Sequence, residues 1–127
     1  MSKLKLATRN EQTAFRPGEE ITGAIGWERE HSPASVEVRL FWRTRGKGTE
    51  DVHVAQTISF PDPQPAEARP FQFRAPAGPY SFSGKLISLI WALELVVEPG
   101  TETTLVELVI SPTGREILLP EGAATGK

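Results

Sequence analysis

The run Lys85-Leu86-Ile87-Ser88-Leu89-Ile90-Trp91-Ala92-Leu93-Glu94-Leu95-Val96-Val97 restricts the folds open to this chain more than any other stretch. After Lys85 it carries a single charge, so it must be buried on at least one face along its length. Alternate residues Ile87, Leu89, Trp91, Leu93, Leu95 and Val97 form one unbroken apolar row, and Leu86, Ser88, Ile90, Ala92 and Glu94 form a mixed row opposite. That is the period-2 pattern of a strand with one face in a core. The run is long against the usual strand of about 5 to 6 residues, and its leucines and alanine leave a buried helix as the alternative. A turn rich in Pro, Ser and Gly, Pro79-Tyr80-Ser81-Phe82-Ser83-Gly84, delivers the chain into it, so the segment reads as the spine of the domain.

The rest of the chain is a series of short alternating runs cut by Gly and Pro. Lys3 to Ala7 alternates leucine with lysine, as an edge strand does. Phe15-Arg16-Pro17-Gly18-Glu19 reads as a type II turn: Pro17 fixes its own backbone angle and Gly18 accepts a positive one. In the next strand Ile21, Gly23, Ile25 and Trp27 share a face, and the glycines weaken it unless something approaches closely or the strand bends there. From Val36 to Thr44 the alternation is cleanest, with Val36, Val38, Leu40 and Trp42 inward and Glu37, Arg39, Phe41 and Arg43 outward. Residues 45 to 49 form a hairpin tip. The return strand then carries Val52, Val54, Ile58 and Phe60 inward, with His53 outward and Gln56 interrupting the row. Pro61 to Pro70 reads as a proline-rich surface loop unable to pair as a central strand, followed by a short strand at Phe71 and Phe73. Thr103 to Ile110 and a weak Arg115 to Leu119 complete the strands.

Seven or eight strands, turn signals every ten or so residues and no amphipathic helical window predict an all-β, antiparallel two-sheet immunoglobulin-like sandwich. Residues 1-119 are expected to form one such domain and 120-127 a flexible tail rich in Gly and Ala. Without cysteine, disulfides, thiolate metal sites and a cysteine nucleophile are excluded, and a reduced cytoplasm is the expected location. No transmembrane segment is expected, because the one long apolar run is shorter than a bilayer crossing and carries Glu94. A net charge of -2 argues against a nucleic-acid partner.

Two stretches in register, Phe15-Arg16-Pro17-Gly18-Glu19-Glu20-Ile21-Thr22-Gly23 and Gly78-Pro79-Tyr80-Ser81-Phe82-Ser83-Gly84 followed by Ile90-Trp91-Ala92-Leu93, resemble the arrestin-like fold family. In that family, which includes Vps26-like and Spo0M-like sandwiches, a Pro-Gly-Glu turn opens the second strand. A Pro-x-Ser-Phe/Tyr-x-Gly turn precedes a long strand with an aromatic at the same place. The resemblance spans residues 3 to 110 and implies an adaptor without catalysis. It also implies a usual partner sandwich in tandem, for which this chain has no room. The charged cluster and phosphate-reading lysines of receptor arrestins have no counterpart here, so no receptor or phosphate recognition passes to any residue.

Chemistry-bearing patterns are sparse. His31 lies in a Ser-Pro turn and His53 on a strand, no metal-ligand spacing or Gly-x-Ser-x-Gly elbow occurs, and Gly46-Lys47-Gly48-Thr49 lacks the spacing of a phosphate loop. No catalytic, cofactor-binding or metal site is assigned, and no cofactor is expected. Two function classes follow. The first is a protein-interaction module that binds by strand addition or by its loops. The second is a small-molecule or carbohydrate-binding sandwich, or a weak enzyme of that shape, with Phe41 and Tyr80 as an aromatic platform. For the first, the candidate partner-binding strip is Arg39, Phe41, Arg43, Arg45 and Lys47, four cations and an aromatic on one face, suited to an acidic partner. The competing account pairs those arginines with Glu50 or Asp51 on the return strand. A homodimer is also expected, through an edge around Val106 and Leu108.

Overall fold

In the computed structural model the spine is a strand, Ile87–Glu98, whose inward row is buried from Leu89 through Trp91, Leu93 and Leu95 to Val97. The structure describes residues 3–46, 48, 50–84 and 86–118. The expected 120-127 tail and Lys47 lie outside the described residues. In chain order the strands are β1 (Lys3–Thr8), β2 (Ala14–Phe15), β3 (Glu20–Glu28), β4 (Ser35–Gly46), β5 (Val52–Ser59), β6 (Ala66–Arg74), β7 (Phe82–Ser83), β8 (Ile87–Glu98), β9 (Glu102–Ile110) and β10 (Ile117–Leu118). Seven are long and three have two residues, which accounts for the seven or eight that the turn spacing predicts.

A small sheet runs β1-β3-β6, and the larger one runs β5-β4-β8, with β9 and β7 both along the far side of β8. All long strands pair antiparallel. The two-residue strands depart from that rule: β2 lies parallel to β9 and β10 parallel to β7. The inner faces of the two sheets close on one core, in which Ile21, Ile25, Phe71 and Phe73 of the small sheet meet Val38, Leu40, Trp91 and Leu93 of the large one. Burial of such side chains contributes about 1.5 to 3 kcal/mol each.

The two turns singled out in the sequence tie the sheets together. In the first, Gly18 takes a φ of +85°, Glu19 N–H closes the turn on Arg16 C=O, and Gly18 N–H and Glu19 C=O bond Ala75 at the end of β6. In the second, Pro79 C=O accepts the Trp91 indole N–H at 2.7 Å, and the buried Ser81 hydroxyl accepts the Ile110 N–H at 2.9 Å. The Pro-x-Ser spacing therefore serves two otherwise unpaired groups, one on β8 and one on β9.

The Glu19 carboxylate accepts Arg16 N–H at 2.9 Å and the Gln12 amide at 3.2 Å. The backbone bond, then the amide bond, hold its pKa below the ordinary carboxylate value. A depressed carboxylate contributes stability that is present above its unfolded-chain value and is lost as pH falls through the folded one. Glu19→Gln is thus expected to shrink the loss of stability on acidification below pH 4.5, the ordinary value, as urea midpoints of both forms at neutral and acid pH would show. Identical acid losses in both forms would contradict it.

Two expectations are corrected. Residues 66 to 70 belong to β6 rather than to a loop; Pro70 is tolerated there because β6 is an edge strand, paired only with β3. The alternation of β5 is inverted over its first half. Leu40 pairs with Gln56 but Phe41 with Val54, so Ala55 is an extra, bulged residue. One extra residue exchanges the faces, so Val52 and Val54 point outward, at 61% and 49% exposure, and His53 moves to the face of Trp42, against whose ring it lies with centroids 4.9 Å apart while staying exposed at the sheet edge. The strand around Val106 and Leu108 is an edge as expected, with both side chains packed inward and β2 covering it only at Val109 and Ile110; the opposite edge of the large sheet, β5, is unpaired along its whole length.

Candidate functional site

The outward rows of the large sheet run straight across its strands. One row holds Val54, Phe41, Ala92 and Glu107, the next Val52, Arg43 and Ile90, and a third Thr57, Arg39, Glu94 and Leu105. The cross-strand spacing of about 5 Å brings residues of a row into contact range. The candidate residues Arg39, Phe41, Arg43 and Arg45 are therefore on one face, as the alternation implies.

Phe41 corrects the aromatic-platform expectation. It is outward but only 7% exposed, with the buried Ala92 next to it in the row. Arg39 and Arg43 flank it at two residues on either side of the same strand, and long arginine stems cover apolar surface while their heads stay wet. Tyr80 is exposed but stands alone at the Pro79 turn. Phe41 and Ala92 make a small apolar floor separate from the main core, next to the exposed Val52 and Val54; Val96, also buried on this face, lies two rows further along β8.

The arginines are paired, though not with Glu50 or Asp51. Arg43 reaches Glu107 at 3.0 Å and Arg45 reaches the same Oε2 at 3.6 Å, two strands away on β9, while Arg39 pairs with Glu37 at 2.9 Å. Glu107 is thus shared by two arginines at the hairpin end of the face, where Glu50 and Asp51 also stand exposed. Such exposed pairs are worth at most about 1 kcal/mol and exchange readily for a partner's carboxylates. Arg43 Nε is buried without a hydrogen bond, which marks this guanidinium as incompletely satisfied inside the fold.

Elsewhere, His31 sits exposed beside Glu30 at 3.7 Å, and among the described residues no three His, Asp or Glu side chains gather as a metal would need. Among those residues no helix is long and apolar enough to cross a membrane.

No family model matches the chain, and no curated protein matches it. Among solved structures it is similar to Spo0M, the sporulation control protein from Bacillus subtilis, with a TM-score of 0.62 at 18% identity over 87% of this chain. The fold is arrestin-like. The arrestin-like sandwich spans about half, 49%, of the Spo0M chain. A beta-glucosidase from Listeria innocua also matches, over 93% of this chain and 16% of its own, at 10% identity and a TM-score of 0.47, a level that carries nothing about function. The two turn motifs that resemble the family are those that clasp β6 and Trp91, so the resemblance rests on residues that build the sandwich.

Proposed function

We propose that this chain is a non-catalytic protein-interaction module, an adaptor or scaffold acting in the cytoplasm, that receives an acidic partner on the outer face of its large sheet. The observation that carries the reading is the layout around Phe41: an apolar centre of Phe41 and Ala92, with the arginines Arg39, Arg43 and Arg45 at its rim. Apolar centres with arginine-bearing polar rims are the anatomy of protein interfaces.

Replacing Arg43 and Arg45 together by glutamate tests it. Glu107 then faces two like charges, so folding should lose about 1 kcal/mol, little against the stability of a domain. Partner capture from the native host, read by quantitative mass spectrometry, should fall for this variant, and the residual binding should lose its salt dependence. Adding Glu107→Arg restores the intramolecular pairs with their signs reversed, which should recover stability without recovering the partner. A partner that binds all three forms equally at low and high salt would eliminate this face.

A further inference from the structure

The edge strands of this sandwich are guarded unequally. β1 carries Lys3 and Lys5, β6 carries Glu67, Arg69, Pro70 and Arg74, and β9, open on its far side before Val109, carries Glu102 and Glu107, the charges and proline by which proteins discourage stray pairing. β5, Val52-His53-Val54-Ala55-Gln56-Thr57-Ile58-Ser59, has no formal charge outside its one histidine and no proline, yet its far side is unpaired. Thr44 N–H bonds Asp51 C=O and Phe60 N–H bonds Val36 C=O, which sets the antiparallel alternation against β4 at both ends of the strand. With Ala55 as the bulged residue, the backbone groups of Val52, Val54, Thr57 and Ser59 then turn to the open side. At Val52 and Val54 the free backbone coincides with exposed apolar side chains.

We infer that β5 is a self-association edge, on which two copies of this chain pair antiparallel about a two-fold axis at His53, Val52 of each opposite Val54 of the other. The bulge at Ala55 ends the regular run and so selects this register over a longer one. Each row of the joined face passes from Glu107, Ala92, Phe41 and Val54 of one copy to Val52, Arg43 and Ile90 of the second. Both of these outward rows carry Glu107 of one copy and Arg43 of the other, so no like charges oppose each other on that face, and four exposed valines become covered beside the two Phe41 floors. The ribbon is short and falls below the roughly 1,200 Å² of a standard interface, so the dimer is a weak one that forms at tens of micromolar.

The chain has no cysteine, so one introduced thiol reports the register without ambiguity. His53 opposite His53 is a non-hydrogen-bonded pair with Cα atoms about 4.5 Å apart, within the roughly 4.4 to 6.8 Å that a disulfide spans. Under mild oxidation at tens of micromolar, His53→Cys should convert mostly to a reducible dimer. Thr57→Cys, on the same edge but without a facing partner in this register, should stay largely monomeric. Independently of any thiol, light scattering of the unaltered protein should approach twice the monomer mass as concentration rises. Val54→Lys should return it to monomer with an unchanged thermal melt. Equal cross-linking at positions 53 and 57 would overturn the register. A folded, unaltered protein that stays monomeric throughout would overturn the inference and leave the edge to a strand from another protein, whether or not the Arg43 face binds its own partner.

Discussion

Trp91→Ala is expected to remove about 3 to 5 kcal/mol, a large share of the roughly 5 to 15 that holds a domain of this size together. The indole is fully buried between Trp42 on β4 and Leu108 on β9. Its loss opens a cavity in the middle of the large sheet and also strips Pro79 C=O of its indole donor. Trp91→Phe separates the two effects: it keeps most of the volume and loses the 2.7 Å hydrogen bond, at an expected cost of about 1 to 3 kcal/mol. Urea melts of the three forms measure this, and a change under about 1 kcal/mol for the alanine variant would mean that the spine is not packed as described.

Gly23→Ala should be nearly as damaging, for the opposite reason. A Cβ at Gly23 would sit 2.2 Å from Ala7 O, 2.7 Å from Phe71 Cζ and 2.9 Å from Thr8 Cα. Two of those neighbours are backbone of β1, which cannot retreat without giving up its pairing with β3. Overpacking of this kind costs about 1 to 3 kcal/mol and occasionally more, and the backbone clash places Gly23 at the upper end. Gly26 is the internal control: its nearest neighbour to an added Cβ is Glu67 O at 3.5 Å, an ordinary contact, so Gly26→Ala should be neutral or mildly stabilising. Equal melting of the two alanine variants would show that β1 and β3 do not approach as closely as they do here.

The contrast between the two glycines illustrates what one sequence can and cannot disclose. That a glycine inside β3 needed a reason was legible; which of the two had one depended on the partner strand. The same holds for β5. Alternation placed Val52, Val54 and Ile58 on one face, but a bulge is decided by the pairing with β4, and the extra residue at Ala55 exchanged Val52 and Val54 for His53. The strip Arg39, Phe41, Arg43 and Arg45 was legible as one face because β4 alternates over that stretch. Its electrostatic partners were not, because Glu107 lies two strands away in a sheet order that no local pattern encodes. Turn chemistry was legible at Gly18, which takes the positive φ that a type II turn after Pro17 demands; the Pro79 to Gly84 turn was legible as the entry to the spine, but its bonds to Trp91 and Ile110 depended on where β8 and β9 lie.

The shared flank of β8 bears on how the chain acquires its shape during synthesis. β7 pairs with β8 only at Ser88 and Leu89, and the remainder of that flank, from Trp91 to Val97, is taken by β9. Leu108 and Ile110 complete the core, and the Ser81 hydroxyl waits for the Ile110 N–H. A nascent chain that has emerged only as far as β8 therefore exposes its most apolar strand along one flank from Trp91 to Val97. Exposed strands of this kind are where transient aggregation and chaperone capture concentrate, and non-local pairing is slow to relieve them. Until β9 docks, the flank of β8 from Trp91 to Val97 is thus open to such capture.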